Sequence, residues 1–486
     1  MSEIVLPGVR IAALSLSLLF AGCASMAPDY QRPEAPVPDN LPSADIDGQN
    51  AVDNLKSARE LPWQDFIKDS RLEQVISLAL ANNRDLRATI ANVAAARAAY
   101  RVQSADQFPS LDAGISGSRS RSNGNVSSSW EASGGLSSYE IDLFGKNRDL
   151  TEAELESYYA SAETARAARI SLIAETANAW LTLASDQNLL QLAQETADNA
   201  KKAMEITSKR LDLGVDSRVD LVSAETTYHS ARADIASYTN QVAQDKNALW
   251  LLVGSTLDES LLPTELPTTE QLVAEIPVGL TSDVLLLRPD VLSAEHDLKS
   301  ANANIGVARA AYFPSLTLTT TGGIASSALS NLFTGGASTI WTVAPSLSMN
   351  IFDWGAKDAD LDAAKATQQS YLATYEYTIQ TAFQEAADAL SRRATMQDQL
   401  NAQVDYADAA GRSYELSMKR YEAGVDSFQD TLTSERTFYS AQQSLISAQL
   451  EELQNRITLY RVLGGGLAEP EYQTEQSIEG AADVQQ

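Results

Sequence analysis

The chain has 486 residues, a formal net charge of −28, a single cysteine and two histidines. So large an excess of acid excludes the basic footprint that nucleic-acid binding requires. One cysteine excludes an internal disulfide, and with two histidines it leaves little from which to build a metal centre or a nucleophile.

Residues 11–20 form an apolar run too short to span a bilayer, and it leads into Ala21-Gly22-Cys23. This is the layout of a cleaved export signal over 1–22, although the n-region is weak, with Glu3 opposing Arg10. Cys23 directly after Ala21-Gly22 resembles the lipobox of bacterial lipoproteins, with Phe20 where that pattern usually has Leu. Cys23 is therefore expected to be a lipidated mature N-terminus opening a segment over 23–70. The plainer alternative is a buried free thiol beside an ordinary cleavage site. Ala24 after the cysteine, rather than Asp, favours the outer membrane by the same resemblance. A lipid there anchors without spanning. No other stretch approaches 18 consecutive apolar residues, so no mature transmembrane helix is expected.

The rest of the chain repeats itself. FPSL at 108–111 returns at 313–316, an offset of 205. Phe144-Gly145 matches Trp354-Gly355, and GVDS at 214–217 matches GVDS at 424–427, both at an offset of 210. Asp220 likewise matches Asp430, and Gly254 matches Gly464. The chain reads as a tandem duplication, with a first repeat over 71–254, a linker over 255–289, a second repeat over 290–466 and a polar tail over 467–486.

Within each repeat, helix breakers are absent over long distances. Residues 146–213 contain no Gly or Pro, and the equivalent 356–423 contains only Gly411. Residues 71–107, 215–253 and 425–463 are also free of breakers. These stretches are rich in good helix formers, and a helix of that greatest length would run roughly 100 Å. Two shorter helices end to end could lie beside one long one, which describes a cylinder wall. Between them, alternation predicts four strands, at 110–121, 128–142, 315–324 and 340–353. The clearest alternation sets Trp341, Val343, Pro345, Leu347, Met349 and Ile351 against Thr342, Ala344, Ser346, Ser348 and Asn350. Strands apolar on one side and small-polar on the other fit a membrane barrel around water. Four cannot close one, and a bilayer tolerates no open sheet edge, so copies of the chain must combine; two, three or four would close.

The lipobox, the doubled FPSL, WTVAPSLSMNIFDWG at 341–355, RYEAGVDS at 420–427 and LYRVLGGG at 459–466 together resemble the TolC-like outer membrane factor family. The likeness is to its lipoprotein, OprM/NodT-like efflux branch, and it covers essentially the whole mature chain. It implies a mainly α protein with a membrane β-barrel. The assembly it implies is a homotrimeric channel-tunnel in the outer membrane, with long antiparallel helices crossing the periplasm. It also implies a periplasmic adaptor and an inner-membrane transporter as partners, and no cofactor beyond the lipid on Cys23.

The doubled GVDS is the turn between the long and the shorter helix of each hairpin. Gly214 and Gly424 are placed to end a helix in the left-handed conformation. Asp216 or Ser217, and Asp426 or Ser427, can cap the next helix. Val215 and Val425 are less readily explained by turn chemistry, and the resemblance implies that the tips dock the adaptor. Behind each turn lies a second repeated pattern: Glu195, Asp198, Lys202 and Glu205 correspond to Asp405, Asp408, Arg412 and Glu415. Their spacing puts each set on one helix face. An ordinary solvated stripe with pairs such as Asp198–Lys202 would explain it. The resemblance instead places a periplasmic gate here, at Asp408, Arg412 and Glu415 foremost. His229 and His296 have no ligand pattern around them and read as packing or surface residues. No nucleotide, serine-hydrolase or zinc-protease motif is present, so no enzyme activity is expected.

The resulting reading is a passive exit duct of a tripartite efflux system for small molecules such as drugs. Protein secretion and metal efflux share every feature above, and a non-conducting envelope lipoprotein is the reading from another class.

Overall fold

The computed structural model describes residues 25–41, 62–274 and 281–465. The expected signal peptide, Cys23 and the tail over 467–486 lie outside them. The mainly helical architecture with four strands is present. Its principal elements are α1 (Ser70–Asn82), α2 (Arg84–Ala105), β1 (Leu111–Ser122), β2 (Asn125–Ile141), α3 (Lys146–Asp212) and α4 (Arg218–Val253). They continue with α5 (Pro289–Ala310), β3 (Ser315–Ser326), β4 (Ser338–Ser348), α6 (Ala356–Glu422) and α7 (Phe428–Val462).

The two long helices, α3 and α6, are each 67 residues. Gly411 does not break α6, and a Cβ there would approach the Phe438 ring on α7 to 3.0 Å, so the glycine allows a close contact between the two helices.

The breaker-free stretch 71–107 is not one helix. It divides at Asn83, whose backbone leaves the helical region at φ −55°, ψ 130°. Its side chain accepts from the Leu86 amide at 2.8 Å, capping α2, and donates to the Leu252 carbonyl at 2.7 Å. The second repeat solves the same problem with a different residue. Arg288 donates to the Val462 carbonyl at 3.0 Å immediately before Pro289 opens α5. Both α2 and α5 are 22 residues long, so the break at Asn83 is the counterpart of the Arg288-Pro289 boundary.

The expected strand 340–353 ends at Ser348. Asp353 takes over the chain beyond it, accepting from the Gly355 amide at 3.1 Å and the Lys357 amide at 3.3 Å to start α6.

The chain divides into two compact units. Of the described residues, the first takes those up to Ala35, Ala91–Glu163 and Leu292–Tyr377, and the second takes Pro36–Ile90, Thr164–Val291 and those from Thr378 on. The first unit holds the sheet, antiparallel throughout in the order β1-β2-β3-β4. The second is cored by fully buried Leu72, Val75, Trp180, Leu181 and Leu249. There Phe66 stacks on Tyr460 at 4.4 Å, and the Trp180 indole donates to the Leu261 carbonyl at 3.0 Å. Gly254 ends α4 at φ 71°, where a Cβ would lie 2.5 Å from the Asn82 carbonyl oxygen.

Candidate functional site

The first unit presents a sheet with two chemically distinct faces. The pairing register runs Leu111–Leu136–Thr320–Val343, Ala113–Gly134–Gly322–Trp341 and Ile115–Ala132–Ile324–Thr339 along one face. The opposite face runs Asp112–Gly135–Thr321–Thr342 and Ser116–Glu131–Ala325–Ser338. An irregularity between Leu136 and Tyr139, with Ser138 at φ 53°, resets the register so that Tyr139 faces Leu318 and Ile141 faces Leu316. One face is therefore apolar and the other small and polar, which the alternation predicts. Among the described residues, the outer edges of β1 and β4 pair with no further strand. At the end where the strands meet the helices, Phe108, Phe352 and Trp354 are largely exposed, and Phe144 stacks on Phe313 at 4.6 Å. Trp354 is 89% exposed, has φ 60° and lies edge-on to Phe352 at 4.7 Å.

The segment after Ser25 is strapped along α5. The Met26 carbonyl accepts from Arg309 at 2.9 Å and the Pro28 carbonyl from Asn302 at 2.7 Å. Further along, Arg32 grips the buried Glu295 with two bonds, at 3.0 and 2.6 Å. The strap thus runs antiparallel to α5 and places Met26 near the helix end that leads into β3. A Cβ on Gly306 would approach the Ala27 nitrogen to 2.6 Å, so this glycine makes room for the strap.

The second unit contains both GVDS turns, and they are nearly identical. Gly214 at φ 74° donates to the Leu211 carbonyl at 2.9 Å, and Val215 to the Arg210 carbonyl at 2.8 Å. Gly424 at φ 73° and Val425 repeat both bonds at 2.9 Å, to Tyr421 and Arg420. This paired pattern is a Schellman closure, in which glycine supplies the left-handed residue and satisfies the last carbonyls. Of the two capping candidates in each turn, serine caps. The Ser217 hydroxyl accepts from the Asp220 amide while Asp220 accepts from the Ser217 amide at 2.9 Å, a complete capping box. Ser427 caps through the Asp430 amide at 3.4 Å. The aspartates do another job. Asp216 pairs with Arg210 at 3.0 Å and Asp426 with Arg420 at 2.5 Å, each tying the turn back onto its own long helix. The Arg420 hydrogen bond holds the Asp426 carboxyl below its usual range. Val215 and Val425 are 61% and 63% exposed. A hydrophobic residue is common at this position of the closure, where it normally packs on the last turn; here that turn offers arginine, and both valines face solvent.

All eight residues of the repeated charged stripe, Glu195, Asp198, Lys202, Glu205, Asp405, Asp408, Arg412 and Glu415, are exposed. Glu195 accepts from Gln191 at 2.9 Å, and Glu415 pairs with Lys419 at 2.5 Å, which lowers its carboxyl. Among the described residues, Asp198 forms no ion pair with Lys202, nor Asp408 with Arg412.

Three features escaped the pattern reading. Tyr421 is 2% exposed and donates to Asp216 at 2.5 Å, joining the second helical hairpin to the first. Burial and that carboxylate push its phenol up to about 12. Asp186 on α3 lies half-buried beside the buried Asp245 on α4, and burial together with that neighbour raises Asp186 to about 7. Glu435 on α7 is 5% exposed, its Oε1 has no hydrogen-bond partner, and burial raises its carboxyl to about 7. Nothing in one-dimensional spacing marks a lone acid as buried. Tyr421 could have been noticed as a departure from the repeat, because the first copy has Leu211 there.

His296 places Nδ1 2.5 Å from Glu156 and packs its ring against Tyr159, while His229 lies against Tyr228. No group of His, Cys, Asp and Glu among the described residues is arranged to hold a metal ion. No helix of the described residues is long and apolar enough to cross a membrane.

The sequence pattern of the family described as outer membrane efflux protein matches residues 75–255 and 280–465. An antibiotic efflux pump outer membrane protein, ArpC of Pseudomonas putida, is 41% identical over 475 residues, covering 96% of this chain and 97% of its own length. The toluene efflux pump outer membrane protein TtgC of the same species shows the same identity and coverage. Among solved structures, the open state of the MtrE outer membrane channel of Neisseria gonorrhoeae superimposes with a TM-score of 0.83 at 37% identity, covering 91% of this chain and 99% of that one.

Proposed function

The chain belongs to the outer membrane efflux protein family and is an outer-membrane efflux channel component; on that premise we propose that it is the homotrimeric exit duct of a three-part pump. In this reading three sheets of four strands close one barrel. The helical hairpins extend it through the periplasm, and their turns meet a periplasmic adaptor serving an inner-membrane transporter. The transporter supplies the energy and this chain supplies the path. The observation that carries the reading is the open four-stranded sheet, apolar on one face and polar on the other. Unpaired strand edges are costly in hydrocarbon, and copies of the same sheet would satisfy them.

Cys23 is the proposed lipid site. The strap supports this: Met26, three residues on, is held by Arg309 beside the start of β3, within about 10 Å of extended chain from Cys23. The cargo class is small, poorly water-soluble toxic molecules, in keeping with the antibiotic and toluene pumps to which the chain is similar.

The test is reconstitution of the full chain in planar bilayers together with expression in a host lacking its own efflux ducts. Conductance by a trimer, with restored resistance to antibiotics or solvents that depends on an adaptor and transporter, supports the proposal. A trimer that never conducts, even with Asp408 and Glu415 neutralised, sinks it. Restored export of protein or metal ions alone would reassign the cargo.

A further inference from the structure

The charged residues of the sheet are sorted by face. Its three acids, Asp112, Glu131 and Glu140, all share the polar parity: Asp112 pairs with Gly135, Glu131 with Ser116 and Ala325, and Glu140 with Thr317. Its two basic residues, Arg119 and Arg121, share the parity of Leu111, Ala113 and Ile115 on the apolar face. Both arginines are exposed. Across the pairing they meet only Ser128 and Val126. One row below, Trp130 pairs with Gly117 and lays its indole over that glycine, where a Cβ would approach the ring to 2.5 Å.

The chain carries an excess of 28 negative charges, yet the apolar face of the sheet has no carboxylate with which either arginine could pair. A neighbouring copy docking along the open edge of β1 would bring its β4, STIWTVAPSLS, which carries no charge at all. The arginines therefore face the bilayer without a protein counter-charge. Arginine on a lipid-facing strand is strongly unfavourable at the midplane and nearly neutral at the interface. Position along the strand decides between those limits. Arg121 is ten residues from Leu111, or roughly 33 Å of strand at 3.3 Å per residue; at a tilt of about 40° that is a rise of roughly 25 Å, the height of a barrel's apolar band, with Arg119 about 5 Å inside it and within reach of the surface through its long side chain. Beyond Arg121 the chain turns at Asn123-Gly124, both at positive φ. The pair thus sits at the interface of the leaflet farther from the helices, just outside a tryptophan, with its charge where headgroups begin.

We propose that Arg119 and Arg121 form a binding site for phosphate-bearing lipid headgroups of the outer leaflet. Guanidinium groups match phosphate oxygens bidentately. Two of them on one strand face, two residues apart and so roughly 7 Å apart, can clasp one doubly phosphorylated headgroup or two adjacent ones. The polar-face acids would repel the same groups, so only the outer side of the barrel recruits them. The proposal rests on the barrel reading above.

The full chain would be reconstituted in phosphatidylcholine membranes containing a minority of a diphosphorylated glycolipid, and the retained lipids counted by native mass spectrometry. Wild type is expected to retain the diphosphorylated glycolipid in strong preference to phosphatidylcholine. At about 1 kcal/mol per arginine near an anionic surface, R119Q/R121Q should weaken that preference roughly thirtyfold. R119K/R121K keeps the charge but loses the bidentate fork and should retain only part of it, and R218Q, altered in the second unit, should leave it unchanged. Absence of preference in wild type overturns the proposal, whether or not the double variant assembles. So does an unchanged preference in R119Q/R121Q, or complete release of the lipid by inorganic phosphate. A protein that inserts and conducts but shows no preference defeats this inference alone, whereas one that never inserts defeats the barrel reading.

Discussion

Tyr421 donates its phenolic hydrogen to Asp216, 2.5 Å away on the other helical hairpin. The two GVDS turns are otherwise close copies, so this bond is where their equivalence breaks. Asp216 also receives Arg210 from its own long helix at 3.0 Å, and that guanidinium lies 4.6 Å above the Tyr421 ring. Thr207 completes the cluster at 3.2 Å from the same hydroxyl. Asp216 is thus shared between a contact that folds its turn and one that ties the hairpins together. Tyr421→Phe keeps the buried ring and removes only the tie. A buried hydrogen bond to a charged group is worth about 1.5–3 kcal/mol. The variant should therefore favour separated hairpins by at least roughly tenfold, read as a rise in single-channel open probability. Asp216→Asn should have a similar effect, and the double variant should add little. Open probability unmoved by Tyr421→Phe in intact trimers would show that the tie does not restrain the mouth.

Arg412 is exposed and has no carboxylate partner within its own protomer among the described residues, while its neighbour Glu415 is already engaged by Lys419. If the stripe lines a constriction, Arg412 finds its counter-charge on another copy. Arg412→Ser should then raise conductance or antibiotic leakage, and the gain should shrink at high salt, where exposed pairs are screened. Intact trimers with wild-type conductance would refute the gate assignment.

Val215 and Val425 are the exposed apolar pair that recurs at both turns, and their side chains take no part in the closure, which uses only their amides. An apolar partner covering them would exclude an unpaired carboxylate, because burying such a charge is strongly unfavourable. Val215→Asp combined with Val425→Asp should abolish adaptor-dependent resistance and co-purification of the adaptor. Trimer assembly and conductance in bilayers should persist. Retained resistance would remove the valines from the docking surface.

Much of this organisation was legible in the sequence, for identifiable reasons. Long stretches without Gly or Pro gave the two 67-residue helices within one residue of their ends. Period-two alternation gave the strand faces, because parity is a property of local sequence. The break at Asn83 was missed because asparagine caps without announcing itself as glycine or proline does. Its repeat partner does announce itself: carrying Pro289 back by the FPSL offset of 205 lands on Arg84, the first residue of α2. The assignment of capping to Ser217 and pairing to Asp216 was open, since both residues can cap and only the position of Arg210 decides. Buried acids on otherwise amphipathic helices stayed invisible, because burial on a long helix depends on which neighbouring helix covers it.

Glu435 shows what such burial entails. It lies 5% exposed on α7, with Arg436 the only group drawing its carboxyl toward ionisation, and burial holds it at about 7 against an ordinary 4.5. Tyr414 on α6, itself pushed up to about 12 by burial and by Glu435, faces the same interior. A carboxyl whose folded value is raised binds its proton more tightly in the folded state. Its effect on stability is therefore nil below about pH 4.5 and becomes a growing penalty up to about pH 7, constant beyond. Asp186, also raised to about 7, acts in the same direction. Glu435→Gln keeps the shape and removes the ionisation. It should stabilise the protein at pH 8 by an amount on the order of 3 kcal/mol, read as a higher thermal midpoint, and leave the midpoint unchanged at pH 4. Wild type should accordingly lose stability between those limits more steeply than the variant. Parallel pH profiles for the two proteins would mean that the carboxylate finds water or a cation when charged, and that the helix pair opens around it at neutral pH.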